Sequence, residues 1–324
     1  MIEVLFIVDP LPSLNLKKDS STAMICAAAR HGWSVSVTEP KYLYCSDGKA
    51  HVNCSKITID EEVLSAFDSS KNYSSPWYQL SEWTLRPLNS FPVIFMRKEP
   101  PFDMQYIYTT YFLDLAESDG SLVVNKPSSL RDCNEKFYVA EFPEFTPPTL
   151  VSQNLTHLSA FHQKHKDVVF KPLDGMGGKG IFRIDKDDSN LNVVLETLTA
   201  RERIPIMAQK YIPEITEGDK RVILIAGKAI PFALARIPQL GEFRANLATG
   251  AKGVTQPLSA RDQEICNAIG KDFQKRGLLF VGIDIIGDYL TEINVTCPTG
   301  IREIDTHCDT DIGLSLIKAA ERQL

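Results

Sequence analysis

Long apolar runs are missing from this chain of 324 residues. None approaches the roughly 20 residues that span a bilayer, so no membrane association is expected. The chain also has no basic tail and no cluster of Lys or Arg. Its net charge of −6 argues against nucleic acid as a partner, although a phosphate pocket can still be locally positive. No CxxC pair occurs among the seven cysteines, and an odd, irregular set points to reduced thiols in the cytoplasm. The histidines are dispersed. His162 and His165 fall in a polar, Lys-bearing stretch and read as helix surface rather than metal ligands. The first residues lead straight into a strand without a basic region or cleavage site, so no leader is expected. There is no internal repeat and no low-complexity segment. What remains is ordinary globular composition, long enough for two or three units around sizeable cores.

The first third alternates strand and helix. Strands are expected at 3–8, 33–38, 92–97 and 122–125. Ser20 is placed to cap a helix through Met24, Ile25 and Ala28, stopped at Gly32. Asp103 caps another through Tyr111 and Leu115, ending at Gly120. This alternation predicts a parallel sheet covered by helices. Residues 45–90 are polar, Ser-rich and weakly patterned, and read as a long connection. A boundary is expected near Cys133, where a new helix should begin.

The middle differs. Strands at 168–171 and 181–184 flank a Gly-rich segment at 172–180. A helix at 191–199 and a strand at 205–209 follow. Two longer strands, 220–225 and 229–235, are joined by Gly227-Lys228. Residues 238–257 are polar, contain glycine and exceed a simple turn, so they are a candidate lid. Ser259 should cap a helix to Arg276, and a last amphipathic helix covers about 311–323.

Residues 282–294 carry the densest chemistry. They read as two short strands rich in Ile, Val and Leu around a Gly-Asp turn signal, interrupted by Asp284, Glu292 and Asn294. Glu292 and Asn294 point the same way, because side chains alternate along a strand. Asp284 joins them if it pairs with Glu292 across a three-residue loop, 287–289. A two-residue Gly287-Asp288 loop would slip the register and turn Asp284 away. In the first register, two carboxylates and an amide oxygen suit a hard cation such as Mg²⁺. In the second, the segment is a solvated hairpin.

Gly175-Met176-Gly177-Gly178-Lys179-Gly180 formally fits GxGxxG. A dinucleotide fingerprint needs a helix starting inside the motif, and here a strand follows. A Walker A loop fails because no Lys-Ser or Lys-Thr follows the last glycine. The fitting alternatives are a plain hairpin turn, or a glycine loop whose N–H groups close over phosphates.

Several longer runs go further: Asn15-Leu16-Lys17-Lys18-Asp19-Ser20-Ser21, Met96-Arg97-Lys98-Glu99-Pro100-Pro101-Phe102-Asp103, Val124-Asn125-Lys126-Pro127 and Leu130-Arg131-Asp132-Cys133-Asn134-Glu135-Lys136. They continue through Lys171-Pro172-Leu173-Asp174, the glycine loop, Gly218-Asp219-Lys220-Arg221-Val222, Leu234-Ala235-Arg236-Ile237-Pro238 and the hairpin to Asn294-Val295-Thr296. In these runs the chain resembles the ATP-grasp ligases, and within them the bacterial glutathione synthetases. Only about 45–90 falls outside the likeness.

The resemblance implies an ATP-grasp α/β fold in three parts. These are an N-terminal α/β domain with a parallel sheet at 1–133, a central lid at 134–211 and a C-terminal catalytic domain at 212–324. It implies ATP-dependent joining of γ-glutamylcysteine to glycine in the cytoplasm, with Mg²⁺ or Mn²⁺, by a homo-oligomer such as a tetramer. Lys136 and Lys171 would contact ATP phosphates, with Gly175, Gly177, Gly178 and Asp219 around them. Gln209, Lys210, Tyr211 and Ile212 would hold the adenine edge. Asp284, Glu292 and Asn294 would hold the metal. Arg221 and Arg236 would stabilise the transferred phosphoryl group and the acyl phosphate, with Arg244 closing the site. Lys18, Asp19 and Arg97 would touch substrate. Lys210, Leu240 and Gly300 depart from the family's usual residues, away from the metal and the phosphate lysines.

This chemistry suits these residues. A carboxylate is a poor acyl donor at neutral pH until phosphorylation gives it a leaving group, and phosphoryl transfer needs mainly positioning and neutralised charge. No nucleophilic Ser, Cys or His is required, and no base for the glycine amine stands out. An acyl phosphate hydrolyses, so water must be excluded, which gives 175–180 and 238–252 a role as covers. By pattern alone, Lys136 reads as a solvated helix lysine, and Arg221 and Arg236 could equally be an ion-paired sheet face. A ligase with D-alanine or glutamate as acceptor, or a synapsin-like ATP-binding scaffold without turnover, would use the same fold.

Overall fold

The computed structural model describes residues 1–65, 71, 73, 76–242, 244–245 and 250–324. Its first sheet is built from β1 (Glu3–Ile7), β2 (Ser34–Thr38), β3 (Leu43–Ser46), β4 (Lys49–Ile59), β5 (Tyr78–Leu80), β6 (Thr84–Pro87), β7 (Val93–Met96) and β8 (Leu122–Val124). The order is β3-β4-β2-β1-β7-β8, with β5 and β6 added to β4. β1 runs parallel to β2 and β7, and β7 parallel to β8. β1, β7 and β8 read as near-continuous apolar runs because helices cover both faces. The helices of this unit are α1 (Ser20–Arg30), α2 (Glu61–Ser65), α3 (Met104–Ser118) and α4 (Pro127–Asp132).

Three readings of this region change. Residues 45–90 are not a plain connection: they carry β4, an antiparallel partner of β2, and the strands paired to it. Residues 66–70, 72 and 74–75 of that stretch lie outside the described residues. Asp19, not Ser20, caps α1, its carboxylate accepting from the Ser21 and Thr22 N–H groups. An aspartate here also places negative charge at the positive end of the helix dipole. Cys133 ends α4 instead of opening a helix, and the next element is a short 3₁₀ turn at Phe137–Glu141.

The second sheet is antiparallel, in the order β11-β10-β12-β9. Its strands are β9 (Thr149–Ser152), β10 (Val168–Pro172), β11 (Phe182–Ile184) and β12 (Ile206–Lys210), backed by α5 (Leu155–His165) and α6 (Leu191–Leu198). It has its own core, including Leu158, Phe170, Ile184 and Leu195, separate from the apolar clusters shared by the other two sheets. His162 is not surface: it is buried, with Nε2 3.0 Å from the Asp185 carbonyl. It stands one turn beyond Leu158 and so shares that residue's inward face.

The third sheet, order β15-β14-β13-β16-β17, is antiparallel throughout. It comprises β13 (Asp219–Ile225), β14 (Lys228–Ile237), β15 (Lys252–Pro257), β16 (Phe280–Ile286) and β17 (Tyr289–Asn294). Its helices are α7 (Ala260–Lys275), α8 (Ile301–His307) and α9 (Ile312–Glu321). Ser259 caps α7 through a reciprocal box with Asp262. The stretch read as one polar segment at 238–257 ends in β15, and its residues 243 and 246–249 lie outside the described residues.

The third sheet is locked to the first. Asn125 donates to the carbonyls of Phe280 and Val295 and accepts from the Phe280 N–H, using both donors and one acceptor site of its amide at a buried junction. α9 returns to pack on α1, where Gly313 leaves room for Ala27: a Cβ at Gly313 would lie 3.0 Å from the Ala27 Cβ.

Candidate active site

The hairpin of β16 and β17 resolves its own register question in a third way. The loop has two residues, Gly287-Asp288, with Gly287 at φ +54°, yet Asp284 pairs with Glu292. A bulge reconciles the two. Ile285 faces Leu290, so Thr291 is the extra residue, and its hydroxyl donates to the Asp284 carbonyl at 3.1 Å. A bulge inserts one residue and restores the phase that a tight loop would have lost. Asp284, Glu292 and Asn294 consequently line one cavity of about 300 Å³ with Arg221 and Arg236.

Neighbouring strands set the charge pattern. Arg221 on β13 lies opposite Asp284 on β16, while Arg236 on β14 lies opposite Asp219 on β13. Arg221 donates to Asp284 from Nε at 2.5 Å and from Nη2 at 3.0 Å. Arg236 Nη2 reaches Asp219 Oδ2 at 2.5 Å and Asp284 Oδ2 at 3.0 Å. All but Asp219 are deeply buried as whole residues, and Asp219 has no solvent path to its Oδ1. Burial alone would raise the Asp284 pKa, but the two guanidinium groups outweigh it and hold the carboxyl well below the ordinary range. Burial wins at Asp219, which is pushed up despite Arg236. Its Oδ1 lacks a hydrogen-bond partner, an unmet acceptor at the site.

Two lysines face the same space. Lys171 is on β10 and emerges from the same face as Val169, two residues back. Burial lowers its pKa to about 8, against the pull of Glu292. Lys136 donates to the Gly175 carbonyl and pairs with Glu292 at 3.1 Å. Burial works to lower its pKa too, but Glu292 outweighs it and the net shift is upward. Lys136 is buried and so is not the solvated helix lysine that pattern alone allowed.

A second cavity of about 110 Å³ opens between the second and third sheets, reached by both lysines and by Glu292. Gln209, Lys210, Tyr211 and Ile212 form one edge and Asp219 another, while Val169, Ile181, Ile215 and Ile286 supply apolar walls. Such a slot suits a flat heterocycle whose polar edge meets backbone. The glycine loop joins β10 to antiparallel β11. Gly177 and Gly178 have φ of +63° and +78°, and a Cβ at Gly175 would sit 2.8 Å from Pro172 Cγ. Arg244 is salt-bridged to Glu242 at 2.6 Å, and its Nη1 lies 3.5 Å from the Gly178 carbonyl, so the long polar stretch and the glycine loop meet.

Lys18 and Asp19 stand apart from these two cavities, on the wall of a third. Arg97 is buried and already engaged, donating to Ser21 Oγ at 3.2 Å and the Pro298 carbonyl at 3.0 Å. Glu135 received no role from sequence reasoning. Its Oε1 accepts from the N–H groups of Val295 and Thr296 at 3.0 Å and from the Thr296 hydroxyl at 2.7 Å, which anchors the end of β17. The signal was present, since Glu135 sits inside the Asn-Glu-Lys run beside Lys136.

No group of three or more His, Cys, Asp or Glu gathers as a metal centre among the described residues. The donor set nonetheless fits a hard cation. Glu292 and Asn294 offer oxygen ligands on one strand face beside Asp284. Burial, and then the charge of Glu292, raise the Glu135 pKa, with Lys136 acting against them.

Comparison with known proteins agrees along the whole chain. The family model described as "Prokaryotic glutathione synthetase, N-terminal domain" matches residues 2–131, and that for the "ATP-grasp domain" of the same family matches 135–309. The glutathione synthetase of Pseudomonas aeruginosa is 50% identical over 318 residues, covering 98% of this chain and 97% of that one. That of Photorhabdus laumondii is 48% identical over 325 residues, covering 100% and 99%. Among solved structures, the D-cycloserine synthetase DcsG superposes with a TM-score of 0.66 at 15% identity, covering 99% of this chain and 100% of that one. The ATP-grasp ligase PsnB, complexed with minimal precursor, Mg and ADP, gives 0.60 at 16%, covering 99% and 97%. At such identity these two show the fold alone. With an ATP-grasp fold and relatives this similar over their full length, the chain belongs to the prokaryotic glutathione synthetase family and is an ATP-dependent ligase with that family's activity.

Proposed function

We propose that this chain phosphorylates the cysteinyl carboxylate of γ-glutamylcysteine with ATP and passes the resulting acyl phosphate to glycine. The observation that carries the reading is the buried Arg221–Asp284–Arg236 cluster, in a cavity joined through Glu292 to the lysine-lined slot. ATP would lie in the slot, adenine against 209–212 and phosphates toward Lys136, Lys171 and the glycine loop. The substrate carboxylate would lie by the arginines. Its oxygen attacks the γ-phosphorus, ADP leaves, and the glycine amine then displaces phosphate to form the amide. Asp284 orients both guanidinium groups at the space where phosphoryl charge develops, so little reorganisation is needed during transfer. Asp284, Glu292 and Asn294 would hold Mg²⁺, which neutralises phosphate charge and polarises the transferred group; Mn²⁺ has the same preference for oxygen ligands.

Domains at 1–133, 134–211 and 212–324 follow from this division of labour, the separate core of the second sheet allowing the central part to close as a lid. Residues 238–252, with Arg244, would complete the cover over the glycine loop. A cytoplasmic homo-oligomer, such as a tetramer, belongs to the same reading. Among the described residues, no helix is long and apolar enough to cross a membrane. The test is ADP release with γ-glutamylcysteine plus glycine, against D-alanine and glutamate as acceptors. A rate with either control equal to that with glycine would move the acceptor assignment.

Lys171→Met separates binding from stability. The KM for ATP should rise on the order of tenfold or more, because a charge on the phosphates is lost, with that for γ-glutamylcysteine little changed. Folding should become more stable at neutral pH. The folded-state pKa of about 8 lies below the ordinary lysine value of 10.5, so the folded protein binds fewer protons between those values. Stability of the parent therefore rises with pH across that window and is lowest below it. Urea midpoints at pH 7 and pH 10 test this: the gain from Lys171→Met should be present at pH 7 and shrink at pH 10.

A further inference from the structure

One row of side chains crosses the second sheet on the face that bounds the slot. Arg183 on β11 faces Val169 on β10, and Val169 faces Gln209 on β12. Residues directly opposite each other share a face, and Val169 and Gln209 both line the slot. Arg183 therefore leaves the same face at its outer margin, since β11 is the edge strand. It has two partners there. Its Cζ lies 3.6 Å from the centroid of the Tyr211 ring. Its Nε and Nη2 donate to the two carboxylate oxygens of Asp167 at 2.9 and 2.7 Å. Asp167 also holds Tyr211 by the main chain, its carbonyl accepting from the Tyr211 N–H at 2.9 Å. Tyr211, part of the edge of the slot, is thus gripped by its ring and by its peptide plane.

Stability is a poor reason for this grip. Both members of the Arg183–Asp167 pair are about a third exposed, and an ion pair that open to water contributes little. Its geometry is the specific part: a bidentate fork holds the guanidinium plane against an aromatic ring. This inference rests on ATP occupying the slot, as read above. We propose that Arg183 is a positioning residue for purine selection. With Asp167 it fixes Tyr211 and the adjoining backbone, so that the hinge at 209–212 meets adenine in one geometry and refuses a 6-oxo purine. Adenine presents a 6-amino donor beside an acceptor ring nitrogen. Hypoxanthine presents an oxygen there beside a protonated ring nitrogen, which is the reverse pattern. A backbone edge held still discriminates between the two, whereas one free to turn its peptides matches either. β11 starts two residues after Gly180, so Arg183 also ties the hinge to the segment that leaves the glycine loop.

Arg183→Met tests this with the full chain, using ATP and inosine triphosphate as the two probes. The KM for ATP should rise on the order of tenfold while that for inosine triphosphate changes less than about twofold, so that the preference for ATP narrows by about fivefold or more. Arg183 is absent from the wall of the arginine cavity, so kcat and the KM values for γ-glutamylcysteine and glycine should stay within about twofold. Arg183→Lys keeps a charge over the ring but not the fork, and should recover part of the preference. Asp167→Asn should narrow the preference in the same direction. Combined with Arg183→Met it should cost no more than the larger single change, because both act through Tyr211. A preference for ATP unchanged in Arg183→Met would overturn the proposal. Equal rises in KM for both nucleotides would also overturn it, since they mark a loosened slot rather than a lost selection, and so would losses that add in the double variant. Failure of the ligase reading would look different: the unaltered chain would release no ADP with γ-glutamylcysteine and glycine.

Discussion

Replacing Asp284 with asparagine should destabilise the protein by about 3–5 kcal/mol, the usual result of removing one partner from a buried ion pair. Asp284 accepts from Arg221 at 2.5 and 3.0 Å and from Arg236 at 3.0 Å, and Asn294 Nδ2 adds a fourth contact at 3.3 Å. An asparagine of the same shape keeps one acceptor oxygen and turns an NH₂ toward a guanidinium. Two buried cations then share one neutral group. Asp219 cannot take over, because burial already raises its pKa and it faces Arg236 rather than Arg221. Turnover should fall by on the order of a hundredfold or more, since the arginines lose their aim at the phosphoryl group. Urea unfolding and ADP release measure the two effects. Asn294→Ala is the control for stability: it removes the longest of the four contacts and should shift the midpoint far less. A midpoint for Asp284→Asn within error of the parent would mean that the ion cluster does not support the third sheet.

The sequence exposed some parts of this molecule and hid others for identifiable reasons. β1, β7 and β16 are apolar on both faces, so they read as strands without any partner in view. β4 did not, because its apolar residues change phase. Ala50, Val52 and Cys54 keep one parity, Ile57 and Ile59 the other, and Cys54 and Ser55 are both buried in succession. The shift falls where β4 passes from pairing with β6, at 51–54, to pairing with β2, at 55–56. Alternation that breaks at a change of partner resembles no alternation at all. His162 was misplaced because composition was weighed above spacing. The convergence of Arg221, Arg236 and Asp284 needs three strands in register, and no local window contains them. The Thr291 bulge depends on how β17 meets β16, which the loop length alone could not reveal. Lys136 was singled out through the family runs alone; pattern left it on a solvated helix.

Glu292→Gln should leave the fold intact and remove most turnover. Glu292 borders both reaction cavities, and its carboxylate is about a quarter exposed, so an isosteric amide fits without burying a new unpaired group. The charge it loses faces two roles. One is as a ligand for Mg²⁺ beside Asp284 and Asn294, where a neutral amide binds a hard cation more weakly. The other is as partner of Lys136 at 3.1 Å. The two separate by what restores activity. If the metal role dominates, kcat/KM at limiting Mg²⁺ should fall by on the order of a hundredfold or more and recover partly as Mg²⁺ or Mn²⁺ is raised, since several kcal/mol of charge stabilisation depend on the ion. If the lysine role dominates, added metal should do nothing, and Lys136→Met should reproduce the loss as a higher KM for ATP. The closeness of Glu135 favours the first outcome, because burial and then the charge of Glu292 raise the Glu135 pKa even with Lys136 acting against them, and a metal cation would offset more of that repulsion. Turnover of Glu292→Gln near the parent rate at limiting Mg²⁺ would remove Glu292 from the metal site and leave it as the tether of Lys136.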